Sequence, residues 1–249
     1  MNAIEWYPIA SLLGSVNSAV REVGLSPDDV INLGGNAVYC WMLYHFGPNS
    51  VTSFRGTHDL DFLISDDGKF DYVLDSLRDT GKVRSYEKRS SPGLEDKVTY
   101  EVIAPAFLGF TMGLGVDVYM PSSTGARLNR RHLYRDVVIR EAPVDLGFAT
   151  VPSLFDIFLM KMDICLDSHS GLRDKDRSDI ATLAVIRGDS FSEFVQRMID
   201  DSSYSGESTS DICMKLNELY KLFRELTAQN SFYEPIFEEV KQKRANYHK

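Results

Sequence analysis

The chain has 249 residues, of which 43% are hydrophobic, and it carries a formal net charge of −9. This length is enough for one large domain or two smaller ones, and the acidic balance argues against a general affinity for nucleic acid backbones. No apolar run approaches the roughly 18 residues that a membrane-spanning helix needs, so no membrane partner is expected.

The first half of the chain alternates between helical and extended patterns. The run 36–46 is apolar nearly all round, so we expect a buried helix there. The predicted elements are a helix over 9–24, a strand over 30–33 ending at Gly34-Gly35, the helix over 36–46, a strand over 59–64, a helix over 69–80, strands near 82–88, 97–103 and 114–120, and short strands near 136–140 and 146–151.

The second half has only helical periodicity. Pro152 lies at the change of pattern, and Ser153 after it is a plausible helix N-cap. We therefore predict two domains, 1–152 with mixed structure and 153–249 with helices alone. The predicted helices cover about 154–167, 175–187, 190–201, 209–228 and 232–245.

Two features favour a cytoplasmic protein. The first 14 residues contain Glu5 and no basic residue, which is not typical of a signal peptide. Cys40, Cys165 and Cys213 are far apart, each lies in an apolar helical context, and they lack the spacing of a zinc site. We expect them to be reduced thiols.

Three aspartates lie on the polar faces of predicted strands. Asp59 and Asp61 are two residues apart, and Asp117 lies between Val116 and Val118. One interpretation is a sheet with one solvated face. However, aspartate is depleted in strands, and three neighbouring carboxylates repel each other unless a cation neutralises them. The pattern therefore favours a divalent metal site with carboxylate ligands.

Gly34-Gly35 lies at the junction of a predicted strand and helix. By itself this pair is a weak signal, because an ordinary tight turn has the same pattern. Backbone N–H groups in such a turn bind phosphate, and the dipole of the helix that starts at Asn36 would assist them. A phosphate turn, a buried helix and then an acidic strand is the order needed to hold a triphosphate against two metal ions.

The segments LGGNAVYCWML, RGTHDLDF and GVDVYM, in this order, resemble the nucleotidyltransferase superfamily with a polymerase-β-like palm. They are most similar to AbiEii-like nucleotidyltransferases, the toxins of bacterial and archaeal toxin–antitoxin pairs, over roughly residues 30–185. The resemblance implies an α+β fold, with an N-terminal mixed-sheet palm and a C-terminal helical bundle that contributes to the nucleotide site. The matching residues are Gly34 and Gly35 in the glycine turn, Arg55, Thr57, Asp59 and Asp61 in the second motif, and Asp117 in the third.

The family also carries a lysine on the helix after the palm, followed by R-x-K-D-x-x-D. Lys161 fits the lysine, and the segment from Arg173 to Asp179 fits the second pattern. Lys161 shares a helical stripe with apolar residues, where a lysine is costly unless it reaches an anion, or snorkels to water. Asp176 and Asp179 could cap a helix, pair with Arg173 or Lys161, or position the nucleotide. The resemblance favours the last role for Asp179.

Other candidate residues carry less information. His58 lies within the second motif, but its side chain should face away from Asp59 and Asp61, so we expect a structural role. A basic stretch follows the third motif and is either a solvated loop or a surface for RNA or a second anionic substrate. It contains Arg127, Arg130, Arg131 and His132.

The resemblance implies transfer of a nucleoside monophosphate from a nucleoside triphosphate to an acceptor hydroxyl, with release of pyrophosphate. It implies RNA, particularly tRNA, or a protein side chain as the acceptor, and an antitoxin protein as a partner. Mg²⁺ or Mn²⁺ would be the cofactor. In this scheme Asp59, Asp61 and Asp117 hold the metal, and Gly34, Gly35, Arg55, Thr57, Lys161 and Asp179 bind the nucleotide.

Two alternatives stay open at the level of the sequence. The first is a nucleotidyltransferase that modifies a small hydroxylated molecule, as in aminoglycoside modification. The second is a catalytically silent module that binds a nucleotide or a partner protein. The presence of Asp59, Asp61, Asp117, Lys161 and Asp179 argues against the silent module, because such a module does not need these costly charges.

Overall fold

The computed structural model of the chain describes residues 3–26, 29–48, 59–65, 67–90, 97–105, 111–120, 139–167 and 171–247. These residues divide into two compact units, one that ends at Ser153 and one that begins at Leu154. The first unit combines helices with a sheet, and the second is helical. The expectation of an α+β fold is confirmed at this level.

A five-stranded mixed sheet dominates the first unit, with the strand order β1-β2-β5-β4-β3. Strands β2 and β5 are parallel, and the other neighbouring pairs are antiparallel. The parallel pair joins the two strands that carry the predicted acidic residues. The strands are β1 (Val30–Asn32), β2 (Asp59–Ile64), β3 (Ser85–Ser90), β4 (Lys97–Pro105) and β5 (Thr111–Tyr119), and β6 (Val144–Asp145) forms a separate pair with β7 (Thr150–Val151).

Alternation along the middle strands separates an apolar face of the sheet from a more polar one. In β2, Leu60, Phe62 and Ile64 are buried, whereas the residues between them are partly or fully exposed. Strands β4 and β5 follow the same period of two. Apolar side chains at every second position therefore fill the core and leave the aspartates on the opposite face.

In the described part of this unit, three helices accompany the sheet. As expected for a segment that is apolar all round, α2 is buried over most of its length. Phe70 of α3 lies 5.4 Å from Phe62 and 5.5 Å from Tyr100, measured between ring centroids, so α3 covers the apolar face of the sheet. The helices are α1 (Ala3–Glu22), α2 (Gly34–Phe46) and α3 (Asp67–Asp79).

Buried polar contacts connect the last part of the first unit to β1 and α2. The side-chain nitrogen Nδ2 of Asn32 donates to the backbone carbonyl of Thr150 at 2.9 Å and to Oδ1 of Asn17 at 2.9 Å. The indole nitrogen of Trp41 donates to the carbonyl of Pro152 at 3.0 Å. These bonds satisfy polar groups that would otherwise be buried without partners.

Aromatic side chains from three helices form the core of the second unit. Phe158 packs against Phe191 and Phe194 at centroid distances of 5.3 and 5.7 Å, and Phe191 lies 5.5 Å from Phe223. All four rings are buried. The helices of this unit are α4 (Leu154–Asp167), α5 (Asp174–Arg187), α6 (Phe191–Tyr204), α7 (Thr209–Gln229) and α8 (Glu234–Tyr247).

The three cysteines are free thiols on helices. Burial raises the pKa of Cys40 and of Cys165 to about 12 in each case, so both thiols are protonated at neutral pH and are poor nucleophiles. Cys213 is half-buried. These positions fit thiols that contribute to the packing of their helices.

None of the described helices is long and apolar enough to cross a membrane. Most predicted elements lie within a few residues of the observed ones. The predicted strand over 146–151 is wrong in part. Gly147 has a φ of 85°, and the Leu146 N–H donates to the Ala149 carbonyl at 2.9 Å, so the chain turns between β6 and β7. Of the strand predicted near 136–140, residues 139 and 140 are not extended into a strand, and the rest lies outside the described residues.

Candidate active site

The structure brings the three predicted aspartates to one face of the sheet. Asp59 and Asp61 belong to β2 and Asp117 to β5, its parallel neighbour. In the strand register Asp61 lies opposite Asp117, and Asp59 lies opposite Gly115. Because residues at paired positions of neighbouring strands project to the same side, the three carboxylates share one surface.

Gly115 shapes the surface next to Asp59. Asp59 is exposed, and its Oδ1 lies 3.4 Å from the point where a Cβ on residue 115 would stand. A side chain at that position would therefore be in van der Waals contact with the carboxylate. The sequence analysis did not identify Gly115, since its role follows only from the pairing of β2 with β5.

The glycine turn lies against Asp61. Helix α2 starts at Gly34, two residues earlier than predicted, and Gly34 has a φ of 57°. This is the left-handed region that favours glycine. A Cβ at this position would lie 2.6 Å from Oδ2 of Asp61, and the Leu33 N–H donates to the Asp61 carbonyl at 2.9 Å. The start of α2 and the acidic strand are therefore in direct contact.

The N-cap residue of α2 does not cap the first turn of this helix with its side chain. This residue is Leu33, which provides no side-chain hydrogen bond, and the first N–H groups of a helix lack partners within the helix. Gly35 and Asn36 belong to this turn and are buried. Among the described residues, nothing donates a hydrogen bond to the buried Oδ1 of Asn36. The N–H groups of a helix start are suited to an anion, whereas the Asn36 oxygen would accept from a hydrogen-bond donor.

Asp117 is held by two residues that the sequence analysis missed. Nζ of Lys97 lies 2.6 Å from Oδ2 of Asp117, and the Thr99 hydroxyl donates to Oδ1 at 2.7 Å. Both residues belong to β4, the antiparallel neighbour of β5. They lie at alternate positions of β4, and only the strand order shows that this face adjoins Asp117.

The donor set fits a hard divalent cation in its chemistry, since carboxylate oxygens are the ligands that Mg²⁺ and Mn²⁺ prefer. No group of three His, Cys, Asp or Glu side chains within the described part of the chain is arranged to hold a metal ion. The carboxylate of Asp117 is bound by Lys97 and Thr99. A metal ion that bound Asp117 would have to share or displace these two contacts.

In the second unit, Lys161 is part of a buried ion network. Its Nζ lies 2.7 Å from Asp179 and 3.1 Å from Asp176, and Arg173 also pairs with Asp176. The Lys161 side chain is only 7% exposed, so its ammonium does not snorkel to water. Pairing with Lys161 and Arg173 was one of the roles expected for the two aspartates. The nucleotide-binding role of Lys161 and Asp179 stays a prediction.

Burial and charge act in opposite directions on Asp176. Desolvation alone would raise its pKa, but the positive charges of Lys161 and Arg173 outweigh that effect and hold the pKa below its ordinary value. Asp176 is therefore a carboxylate at neutral pH, and its negative charge is matched inside the unit.

Several predicted residues lie outside the part of the chain that the structure describes. Arg55 and Thr57, the proposed nucleotide-binding residues of the second motif, immediately precede β2, and His58 does so too. The basic stretch expected to be either a solvated loop or an RNA surface is also outside. It comprises Arg127, Arg130, Arg131 and His132.

Comparison with known proteins does not supply a family. No protein-family model matches the chain, and no curated protein matches its sequence significantly. The resemblance to nucleotidyltransferases therefore depends on the short motifs of the sequence. Asp59, Asp61 and Asp117 together form what we call the acidic face. The geometry of the acidic face and of the glycine turn is independent of that resemblance.

Proposed function

We propose that this protein is a metal-dependent nucleotidyltransferase. The observation that supports it most is the register of the parallel strands, which pairs Asp61 with Asp117. Asp59 lies on the same face, and Gly34 at the start of α2 is in direct contact with Asp61. The proposed metal-binding surface and the proposed anion-binding helix start therefore adjoin, as transfer from a triphosphate requires.

In this proposal the acidic residues hold Mg²⁺ or Mn²⁺, with Asp59 and Asp61 as primary ligands and Asp117 as the third carboxylate. When bound, the cation would offset charge on the triphosphate and help to activate the acceptor hydroxyl. Gly34 and Gly35 bind phosphate oxygens through the N–H groups of the first turn. The acceptor oxygen attacks the α-phosphorus, and its proton passes to a carboxylate. The bond from the α-phosphorus to the α–β bridging oxygen breaks, and pyrophosphate leaves with that oxygen and the electron pair.

The finer features of the proposal come from the family resemblance. The first unit would be a polymerase-β-like palm, and the helices of the second would form a bundle that contributes to the nucleotide site. The acceptor would be RNA, in particular tRNA, or a protein, in a cytoplasmic toxin with an antitoxin partner. The remaining nucleotide-binding residues in this proposal are Arg55, Thr57, Lys161 and Asp179.

Transfer of label from a nucleoside triphosphate tests the activity. The purified protein is incubated with Mg²⁺ and each α-labelled triphosphate, together with total cellular RNA, total protein or a mixture of aminoglycosides. We expect label in RNA or protein and an equal amount of pyrophosphate. Label confined to small molecules would identify the other class of acceptor.

Matched variants link the activity to the site. Asp61→Ala should abolish both transfer and pyrophosphate release, because it removes a proposed metal ligand. Asp79→Asn removes a carboxylate at the end of α3 whose side chain is 77% exposed, so it should retain full activity. Equal activity of Asp61→Ala and wild type would overturn the proposed role of the acidic face.

A catalytically silent binding module is the second candidate. It is favoured by the contacts of Asp117, whose two carboxylate oxygens already bind Lys97 and Thr99. Such a module would bind a metal–triphosphate complex without releasing pyrophosphate in the presence of any acceptor mixture. Pyrophosphate release that depends on Asp61 would exclude it.

A further inference from the structure

Lys97 occupies a position in the proposed site that the sequence motifs do not describe. Its ammonium contacts Oδ2 of Asp117 at 2.6 Å, and the Thr99 hydroxyl bonds Oδ1 at 2.7 Å. Thr99 lies directly opposite Asp117 in the strand register, and Lys97 lies opposite Tyr119. Two neighbouring residues of one face of β4 thus bind both oxygens of the third carboxylate.

The Lys97–Asp117 pair differs from the exposed ion pairs of the same unit. The two side chains are 20% and 19% exposed, and Nζ of Lys97 also lies 5.4 Å from the centroid of the buried Tyr119 ring. Screening by water is weaker at such a partly buried pair than at a pair on the open surface. The contact is therefore a defined part of the acidic face.

The negative charges of the acidic face explain why a lysine ammonium lies beside it. Asp59, Asp61 and Asp117 crowd negative charge onto two adjacent strands, which destabilises the fold unless positive charge lies nearby. Lys97 supplies that charge. A divalent cation that approached Asp117 would meet the lysine ammonium on the same carboxylate, and the two cations would repel each other.

We propose that the Lys97 ammonium is a permanent positive charge in the site. It positions Asp117 and competes with a divalent metal ion for the Asp117 carboxylate. A bound metal ion is then held chiefly by Asp59 and Asp61, and Asp117 becomes a strong ligand only when the charge of Lys97 is removed. Lys97 is a positioning residue in this account. The inference rests on the proposed metal site but goes beyond it.

Binding of Mn²⁺ alone, measured by calorimetry and by the electron paramagnetic resonance of free Mn²⁺, tests the competition without any need for activity. Lys97→Met removes the charge and keeps an apolar stem, so it should bind Mn²⁺ about tenfold more tightly, because the repulsion between the ammonium and the metal ion is lost. Lys97→Arg keeps the charge and should bind Mn²⁺ like wild type. Circular dichroism confirms that each variant is folded.

The double variant Lys97→Met/Asp117→Asn shows whether the higher Mn²⁺ affinity of Lys97→Met depends on the Asp117 carboxylate. We expect it to lose the tightening seen in Lys97→Met. Wild-type or weaker affinity in Lys97→Met, or undiminished tightening in the double variant, would overturn the proposal. Should Lys97→Met fail to fold, Lys97→Gln replaces it in the same comparison, with the same outcomes.

Asp61→Asn separates this inference from the proposed function. If Asp61→Asn binds Mn²⁺ as wild type does, the proposed metal site is wrong, and the inference about Lys97 is overturned with it. If Asp61→Asn loses Mn²⁺ while Lys97→Met is unchanged, only the inference about Lys97 fails.

Discussion

The missing side chain of Gly34 allows the start of α2 to approach Asp61 closely. The backbone there has a φ of 57°, and a Cβ would lie 2.6 Å from the Asp61 carboxylate. A residue with a side chain would thus meet both backbone strain and a steric clash. Gly24 has a similar φ of 77°, but nothing lies within 4 Å of the position of its Cβ.

The pair of glycines provides a matched prediction. Gly34→Ala and Gly24→Ala should each lower the free energy of unfolding of the first unit by about 1 kcal/mol or more, because alanine is strained in this region. Both tryptophans, Trp6 and Trp41, belong to this unit, so their fluorescence in a urea titration reports the change. Only Gly34→Ala should also weaken Mn²⁺ binding, because only its Cβ displaces Asp61. Equal Mn²⁺ affinity of the two variants would contradict the contact.

Lys161 illustrates how strongly a buried charge depends on its partners. Lys161→Met would leave the carboxylate of Asp179, which is 1% exposed, without this positive partner. The loss in free energy of unfolding should be about 3–5 kcal/mol, as for other broken buried pairs. Far-UV circular dichroism in urea measures it.

The control for Lys161 is an exposed lysine of the same unit. Lys241 pairs with Glu238, and both side chains are more than half exposed. Lys241→Met should change the free energy of unfolding by less than about 1 kcal/mol. Equal effects of Lys161→Met and Lys241→Met would show that the buried network does not stabilise the unit.

At the level of elements, the ion network connects α4 to α5. Lys161 belongs to α4, whereas Arg173 immediately precedes α5 and Asp176 lies in its first turn. Asp176 is fully buried, so neither helix alone could provide it with both of its positive partners. The packing of the two helices therefore depends on the ionised form of Asp176.

This dependence predicts the acid sensitivity of the helical unit. The pKa of Asp176 is lower in the folded chain than its ordinary value of 3.8, so the unfolded chain binds its proton first as the pH falls. The stabilisation is therefore present above about pH 4 and is lost as the pH falls through the folded-state pKa. Asp176→Asn should show a smaller fall in the free energy of unfolding between about pH 5 and pH 3.

Urea titrations followed by circular dichroism at several pH values measure this slope. Asp200→Asn, which changes an exposed residue of α6, is the control and should keep the wild-type slope. An unchanged slope in Asp176→Asn would mean that Asp176 does not contribute to acid sensitivity.

The sequence was sufficient to predict strands and helices whose apolar residues repeat regularly. The bounds of β2 and α4 match the predicted ones, because alternation and helical periodicity are local properties. The sequence was insufficient for contacts that depend on strand order. Lys97 is 20 residues from Asp117, and the contact depends on the exact antiparallel register of β4 and β5, which the local pattern of the two strands does not give.

At the scale of the whole molecule, the sequence predicted a sheet-containing part followed by helices, and the chain has these two kinds of unit. It also predicted three aspartates on strand faces. It was harder to predict which oppositely charged group each ionised side chain binds. The same sequence pattern permits Asp117 to bind a metal ion or Lys97, and it permits Lys161 to bind a phosphate or two aspartates. Such choices depend on side chains that are distant in sequence.

The central claim is that the acidic face binds a divalent cation together with a triphosphate. Titration calorimetry of each nucleoside triphosphate in the presence of Mg²⁺, on wild type, Asp61→Ala and Asp79→Asn, tests it most directly. We predict that wild type and Asp79→Asn bind at least one triphosphate and that Asp61→Ala loses this binding. Equal binding by all three proteins would contradict the account.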